Sequence, residues 1–245
     1  MEEEMIKIKN LKKSYGNKRI LNDISLNAGK GEVIAVLGKN GAGKTTLFKV
    51  LLGLAKKSEG EIAVLGQPDY TDSLRKEIGF CMSIPVFYEH LNAIENMSIE
   101  CEYYKLDKSN ICSVLRAVGL DPYNNEPVKK YSFGMRQRLQ FAECCIKNPP
   151  IIIMDEPFNG LDPKGIVKLK NTIRNMANGE KTILISSHIL SEIKQAATRI
   201  IVIAKGTIVL DRYVNELVEE HTKDFEAFLI KKMEGYDETQ TYRFD

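Results

Sequence analysis

A glycine-rich turn between a buried strand and a helix is the feature that most constrains this chain. Residues 32–38 read EVIAVLG and run directly into KNGAGKTTLFKVLLGL. The spacing G-x-x-x-x-G-K-[ST] in that context predicts a phosphate-binding loop, whose backbone N–H groups surround phosphates. In such a loop Lys44 reaches the β- and γ-phosphates, and the Thr45 hydroxyl can ligate Mg²⁺. The predicted nucleotide contacts are Gly38, Lys39, Asn40, Gly41, Ala42, Gly43, Lys44, Thr45 and Thr46.

The order of apolar segments predicts an α/β fold built around a largely parallel core sheet. Apolar runs such as 151–154 lack the alternation of a half-exposed strand, as expected for parallel strands that are covered on both faces. Short alternating strands near the N-terminus predict an antiparallel β subdomain. Between about 86 and 148 the pattern becomes helical, which predicts an inserted α-helical subdomain. The main domain is expected to span 1–212, with a short helical extension over 213–245.

Two adjacent carboxylates follow a second buried strand. In IIIMDEP, Asp155 and Glu156 lie at the carboxyl end of the strand, where open α/β sheets bind ligands. Asp155 can hold Mg²⁺, and Glu156 can polarise an attacking water as a general base. A solvated strand end is the alternative, but a phosphate loop at the same sheet edge disfavours it.

A histidine follows a third strand. His188 comes directly after TILISS, where its ring can donate a hydrogen bond to a γ-phosphate and respond to the loss of that phosphate. A purely structural histidine is the alternative, and the residue alone does not exclude it.

The stretch KYSFGMRQRLQFAECC begins a helix in a way that is poor for folding and good for anion binding. Ser132 is a suitable N-cap, whereas Gly134 falls in the first turn, where glycine costs helix stability. A hydroxyl and a bare glycine at a helix N-terminus favour an anion. The phosphate loop lies far upstream, so the stretch raises the question of which anion it binds.

Composition limits the classes of partner. The net charge is +2 and 28% of the residues are charged, which makes no electrostatic case for nucleic acid as a partner. The first ten residues are acidic and lack the apolar segment of a signal peptide. No apolar run approaches the roughly 20 residues that span a bilayer. If the protein works at a membrane, another chain must supply the spans.

These motifs, taken in order, resemble the ATP-binding subunit of an ABC transporter over about residues 5–210. GKNGAGKT resembles the Walker A motif, and KYSFGMRQRL stands where the family has its LSGGQ signature. IIIMDEP resembles Walker B, NGLDP resembles the D-loop, and SSH ends on the switch histidine. The resemblance implies a P-loop NTPase fold that binds ATP and Mg²⁺.

The resemblance also implies roles for residues outside the phosphate loop. Tyr15 in KSYGNKRIL would stack on adenine. The signature residues Ser132, Phe133 and Gly134 would contact the γ-phosphate of an ATP held by a second copy of the chain. Asp162 in the D-loop would couple the two copies.

The chain departs from the family pattern at the Q-loop and in the signature. Ser83 stands at the glutamine position, and its side chain is too short to contact Mg²⁺ directly, so a bridging water is one substitute. The signature reads Tyr-Ser-Phe-Gly-Met. Together with IPVFYEHLNAIENM it resembles the branch that exports lantibiotics, bacitracin-like peptides and related drugs.

The function implied is an ATP hydrolase that powers export. Two copies would close head-to-tail around two ATP molecules, on the cytoplasmic face of the membrane, beneath a polytopic permease. Three alternatives remain open: a soluble ABC-type ATPase, a weakly hydrolysing regulatory module and a P-loop enzyme of another class. Only Ser83 favours the regulatory module. The signature, D-loop and switch residues disfavour another P-loop class.

Overall fold

The computed structural model describes residues 4–68, 71 and 74–235, which form two sheets and a set of surrounding helices. The strands are β1 (Glu4–Tyr15), β2 (Lys18–Gly29), β3 (Val33–Leu37), β4 (Glu59–Val64), β5 (Ile78–Cys81), β6 (Ile151–Asp155), β7 (Thr182–Ser186), β8 (Arg199–Ala204) and β9 (Thr207–Tyr213). The helices are α1 (Lys44–Leu51), α2 (Leu74–Glu77), α3 (Ala93–Tyr104), α4 (Ile111–Val118), α5 (Phe133–Ile146), α6 (Pro163–Asn178), α7 (Leu190–Ala196), α8 (Val214–Glu220) and α9 (Phe225–Glu234). Short 3₁₀ turns cover Lys108–Asn110 and Val128–Lys130.

The smaller sheet is antiparallel and has the order β2-β1-β4. Residues of β1 and β2 that point inward, such as Ile6, Ile8 and Leu21, are buried against α1 and one face of the larger sheet. This sheet is the predicted antiparallel β subdomain. Its packing brings β2 close to the start of α1, and therefore close to the phosphate loop.

The larger sheet has the order β5-β6-β7-β3-β8-β9, and its neighbouring strands run parallel except at the β8–β9 pair. Every residue of β3, β6 and β7 is buried, because helices or the smaller sheet cover both faces. Successive side chains of β3 enter opposite apolar cores: Ile34 and Val36 face α1, whereas Val33 and Ala35 face the later helices. The predicted α/β fold with a parallel core is confirmed.

Three helices fill the segment between β5 and β6, as predicted for the inserted helical subdomain. α3 starts with a capping box, in which the Asn92 side chain accepts from the Glu95 backbone N–H and the Glu95 side chain accepts from the Asn92 N–H. α4 ends at Gly119 in the left-handed region with φ 82°. α5 packs on both α3 and α4, so the subdomain has its own helical layer.

The C-terminal helices pack onto the main domain. Phe225 and Leu229 of α9 are buried in the apolar core that covers β8. The Glu234 carboxylate lies 3.1 Å from the Lys39 ammonium group of the phosphate loop. Residues 236–245 of the predicted extension lie outside the described residues, and its boundary stays a prediction. Within the described part of the chain, every helix is too short or too polar to cross a lipid bilayer.

A carboxyl group with an unusual pKa lies on α5. Burial is the main cause that raises the pKa of Glu143 to about 8, and repulsion from the Glu100 carboxylate is the second. The nearby Lys147 ammonium group lies 3.3 Å from Glu100 and stacks over the Tyr104 ring. Glu143 therefore holds a proton in the folded chain at a pH where the unfolded chain has released it.

We predict that Glu143→Gln stabilises the protein in a pH-dependent way. The free energy of unfolding of the wild type should fall as the pH rises from 4.5 towards about 8, because over that window the folded state binds one more proton than the unfolded state. The glutamine side chain does not ionise, so the free energy of unfolding of the variant does not fall in this way. The melting temperature of the variant should match the wild type near pH 4.5. It should exceed the wild type by roughly 10 °C near pH 8, because keeping this carboxyl group protonated up to a pKa of about 8 corresponds to about 4 kcal/mol there.

Thermal unfolding monitored by circular dichroism across this pH range tests the prediction. Glu219→Gln, at an exposed position on α8, is the control for loss of a carboxylate and should show no such trend. A constant difference between Glu143→Gln and the wild type at all pH values would contradict the raised pKa.

Candidate functional site

The phosphate loop connects β3 to α1 at the carboxyl edge of the parallel strands. Gly43 has φ 115°, and a Cβ there would lie 2.6 Å from Leu21 Cδ2, so only glycine fits. α1 begins at the next residue, Lys44, without a side-chain cap. Its first backbone N–H groups have no intrahelical acceptor, which makes this helix start an anion site.

The Lys44 side chain lies buried beneath the loop. Its ammonium group donates to the carbonyl oxygens of Gly38 at 2.6 Å and Lys39 at 3.4 Å. These two carbonyls hold a positive charge within the curve of the loop. The cation and the free N–H groups at the start of α1 together favour a polyphosphate at this position.

The Asp155 carboxylate is buried at the end of β6 and accepts two hydrogen bonds from hydroxyl groups. Thr45 Oγ1 donates to Asp155 Oδ2 at 3.0 Å, and Ser186 Oγ donates to Asp155 Oδ1 at 2.5 Å. The structure therefore brings the predicted residues Thr45 and Asp155 together. Ser186 was not among the predicted site residues. The only signal was a hydroxyl residue closing a buried apolar strand, TILIS.

The two predicted catalytic residues are in contact. His188 Nδ1 lies 2.8 Å from Glu156 Oε2, which leaves the other ring nitrogen for a further hydrogen bond. Glu156 has φ 54°, a left-handed conformation that is uncommon for a residue other than glycine. Its backbone N–H donates to both the hydroxyl and the carbonyl oxygen of Ser186, at 2.9 and 3.2 Å. These bonds hold the strained turn.

One pocket collects most of the residues predicted around the phosphates. It is lined by Lys18, Ile20, Asn40, Gly41, Ala42, Gly43, Lys44, Thr45, Thr46, Ser83, Asp155 and Glu156. Lys18 and Ile20 come from β2 and were not predicted. Tyr15 pairs with Lys18 in the β1–β2 hairpin and is about half exposed (49%) beside this pocket-lining residue.

Ser83 is hydrogen-bonded to α5, the helix that Ser132 caps. Its backbone carbonyl accepts a hydrogen bond from Gln137 Nε2 of α5 at 3.2 Å, while Ser83 itself lines the pocket with Asp155 and Glu156. Gln137 is buried. The contact links α5 to the loop after β5, a connection that sequence reasoning did not anticipate.

A second group of predicted residues lies at the start of two helices and outside the lining of that pocket. Ser132 caps α5, since its Oγ accepts from the Met135 N–H at 3.2 Å, so the predicted N-cap is confirmed. Asp162 caps α6 by accepting from the Gly165 N–H at 3.2 Å. Phe133 and Gly134 pack on the Gly160 turn.

The contact with Gly160 explains the glycine at the start of α5. A Cβ on Gly134 would lie 2.9 Å from the Gly160 carbonyl oxygen. A Cβ on Gly160 would lie 2.1 Å from Phe133 Cδ1, and Gly160 has φ 69°. Close packing between these two turns therefore requires a glycine at both positions.

The amino-acid sequence is similar to that of proteins whose family is known. Residues 21–159, more than half of its length, match the ABC transporter family. The chain belongs to the ABC transporter family. A lantibiotic transport ATP-binding protein of Streptococcus pyogenes is 44% identical over 208 residues, which cover 85% of this chain and 90% of the relative. A bacitracin transport ATP-binding protein of Bacillus licheniformis is 37% identical over 226 residues, or 91% and 74% of the two chains.

Solved structures agree with this assignment. An ATP-binding subunit of an ABC transporter has a TM-score of 0.84 at 25% identity, covering 93% of this chain and 100% of that one. The dimeric ATP-binding cassette MJ0796, in a post-hydrolysis state with ADP and Pi, has a TM-score of 0.78 at 26% identity, covering 86% and 99%. The predicted fold class and the prediction of an ATP-hydrolysing ABC subunit are confirmed.

In this ABC ATPase, the predicted site residues lie in two separate groups. The phosphate loop, Asp155, Glu156 and His188 form one group. The signature turn and the D-loop, around Ser132 and Asp162, form the other. The roles of the individual residues remain predictions.

We predict that Gly160→Ala disturbs the ABC signature turn. The methyl group would collide with Phe133 in addition to forcing a left-handed alanine, which alone costs about 1–2 kcal/mol. Melting temperature and ATPase activity should both fall. Gly66→Ala is the matched control, because Gly66 has a similar φ of 72° with nothing within 4 Å of an added Cβ.

Steady-state ATPase assays and thermal unfolding separate the two contributions. Gly66→Ala should lose stability but keep its activity, and Phe133→Ala should relieve part of the defect of Gly160→Ala. Equal behaviour of the Gly66 and Gly160 variants would show that backbone strain alone explains the effect.

Proposed function

We propose that this ABC ATPase binds MgATP between two copies of itself and uses hydrolysis to power the export of an antimicrobial peptide or drug by a separate membrane permease. The observation that carries the proposal is the separation of the nucleotide-contacting residues into two groups. Lys44 and Asp155 line one pocket, whereas Ser132 and Asp162 start helices outside it. Two copies arranged head-to-tail complete each site.

Mg²⁺ fits the oxygen atoms beside the phosphate loop. Thr45 Oγ1 and Asp155 Oδ2 are 3.0 Å apart, and Mg²⁺ takes such hard oxygens together with phosphate and water. When bound, the ion neutralises charge on the β- and γ-phosphates. Thr45 would be a direct ligand of the ion, and Asp155 would act through water. Ser83, which lines the same pocket, would reach the ion through a bridging water.

Glu156 is the general base in this proposal. It orients an attacking water and accepts its proton, while the contact of 2.8 Å with His188 Nδ1 fixes the carboxylate. The second ring nitrogen of His188 contacts the γ-phosphate. Lys44 transfers its hydrogen bonds from the loop carbonyls to the phosphates. Tyr15, half exposed at the hairpin, stacks on adenine.

The signature turn completes the site in the partner copy. Ser132 Oγ accepts the capping bond from Met135, and its own proton is free to donate to an anion. The start of α5 adds the positive end of a helix. Gly134 lets the γ-phosphate approach, Phe133 flanks it, and Asp162 lies at the dimer contact. In this proposal, the anion that binds at the start of α5 is the γ-phosphate of the partner copy's ATP.

A permease partner is supported by an exposed apolar segment next to Ser83. Ile84, Val86 and Tyr88 have exposed fractions of 71%, 70% and 55%, which is unusual for such side chains on a free surface. Similarity to lantibiotic and bacitracin transport ATP-binding proteins supports peptide or drug export. It also makes a soluble ABC-type ATPase the weaker candidate. The expected location is the cytoplasmic face of the membrane.

We predict that Glu156→Gln abolishes steady-state hydrolysis while keeping ATP binding. Loss of a general base should lower kcat by about 100-fold or more. Bound ATP then persists, so the variant should form a dimer in MgATP and revert to a monomer in ADP. Phosphate release assays and size-exclusion chromatography measure the two effects. Glu219→Gln should behave as the wild type, and full turnover in Glu156→Gln would remove this residue from catalysis.

We also predict that Ser132→Arg abolishes activity but leaves nucleotide binding by the isolated monomer intact. The large side chain blocks the surface that contacts the partner's ATP, whereas the pocket around Lys44 is untouched. Ser113→Arg, at an exposed site on α4, adds the same side chain to the same subdomain. Binding of a fluorescent ATP analogue and ATPase rates give the comparison. Loss of monomer binding in Ser132→Arg would argue against a site shared between copies.

A further inference from the structure

Ser186 lies between the two acidic residues of the site. It is fully buried, ends β7, and pairs with Asp155 across the parallel β6–β7 ladder. Its hydroxyl contacts both the Asp155 carboxylate, at 2.5 Å, and the Glu156 backbone N–H, at 2.9 Å. One small side chain thus touches both acidic residues, which the proposed function assigns to Mg²⁺ and to the attacking water.

The direction of these two hydrogen bonds follows from their chemistry. The amide of Glu156 can only donate, so the Ser186 oxygen accepts from it. The single hydroxyl proton then goes to Asp155 Oδ1, which as a carboxylate oxygen can only accept. Thr45 donates to the other oxygen, Oδ2. The Asp155 carboxylate is therefore held on both sides, and its plane is set by two hydroxyl groups.

The second hydrogen bond acts on a strained residue. Glu156 has φ 54°, and a left-handed conformation persists in a residue with a Cβ only where its surroundings hold it. The bonds from its N–H to the Ser186 hydroxyl and carbonyl oxygens supply that support. Loss of the hydroxyl removes the shorter of the two and loosens the turn that aims the Glu156 side chain.

We propose that Ser186 is a positioning residue for ATP hydrolysis, whose hydroxyl orients Asp155 towards Mg²⁺ and anchors the backbone of Glu156. The inference rests on the proposed function, since it takes Asp155 as the Mg²⁺-facing group and Glu156 as the base. It assigns Ser186 no contact with substrate. The neighbouring Ser187 is equally buried, but its hydroxyl accepts from the Ile189 N–H instead.

Two measurements on the full chain test the role. Ser186→Ala should lower kcat by about tenfold or more, the usual effect of losing a hydrogen bond to a charged group, with less than a threefold change in KM for ATP. The Mg²⁺-dependent gain in affinity for a fluorescent ATP analogue should shrink. Affinity measured in EDTA should stay at the wild-type value. This second readout does not depend on turnover.

Three variants separate positioning from folding. Ser186→Thr retains a hydroxyl and should recover most of kcat and of the Mg²⁺ response. Ser186→Cys has a side chain of similar volume whose S–H group is only a weak donor. It should therefore resemble Ser186→Ala, and it replaces the alanine variant in the test if that variant folds poorly. Ser187→Ala should lose its hydrogen bond to Ile189 with little change in either readout.

The outcomes distinguish this inference from the proposed function. Wild-type kcat and Mg²⁺ response in both Ser186→Ala and Ser186→Cys, with Glu156→Gln inactive, would overturn the role of Ser186 alone. An equal loss in Ser187→Ala would also overturn it, because any buried hydroxyl at this strand end would then suffice. An active Glu156→Gln would refute the catalytic assignment itself.

Discussion

The buried Asp155 carboxylate ties together three elements that build the nucleotide site. Asp155 ends β6, and its two oxygens accept from Thr45 at the start of α1 and Ser186 at the end of β7. A buried carboxylate that lost one of these partners would carry unsatisfied charge, which costs more than a typical hydrogen bond contributes. The contact therefore fixes the phosphate loop relative to the acidic pair. It depends on the parallel sheet, which brings these ends to one edge.

The signature turn depends on a different constraint, which is close packing rather than charge. Gly134 is unfavourable for the helix it begins, but a Cβ there would meet the Gly160 carbonyl oxygen at 2.9 Å. A Cβ on Gly160 would in turn lie 2.1 Å from Phe133 Cδ1. The two turns thus present one surface from two distant parts of the sequence. Tertiary contact therefore overrides helix propensity at this point.

Much of the fold and part of the site could be predicted from local patterns. The phosphate loop was recognisable because its backbone amides, Lys44 and Thr45 are contiguous. Asp155 and Glu156 were recognisable because they end a continuous apolar run. Ser186 was missed because a hydroxyl residue in a buried strand has no local signal of function, and its partner lies 31 positions away.

The class of this protein follows from its amino-acid sequence: it is a P-loop ATPase of the ABC family, with a phosphate loop, an acidic pair and a signature in a fixed order. These features are local, since each uses neighbouring residues and the geometry of one strand end or helix start. The tertiary structure alone decided which of them meet. The strand order β5-β6-β7-β3-β8-β9 places β7 between β6 and β3, so Ser186 joins Asp155 and Glu156. That order results from the burial of apolar surface on both faces of the sheet, which is a property of the whole chain.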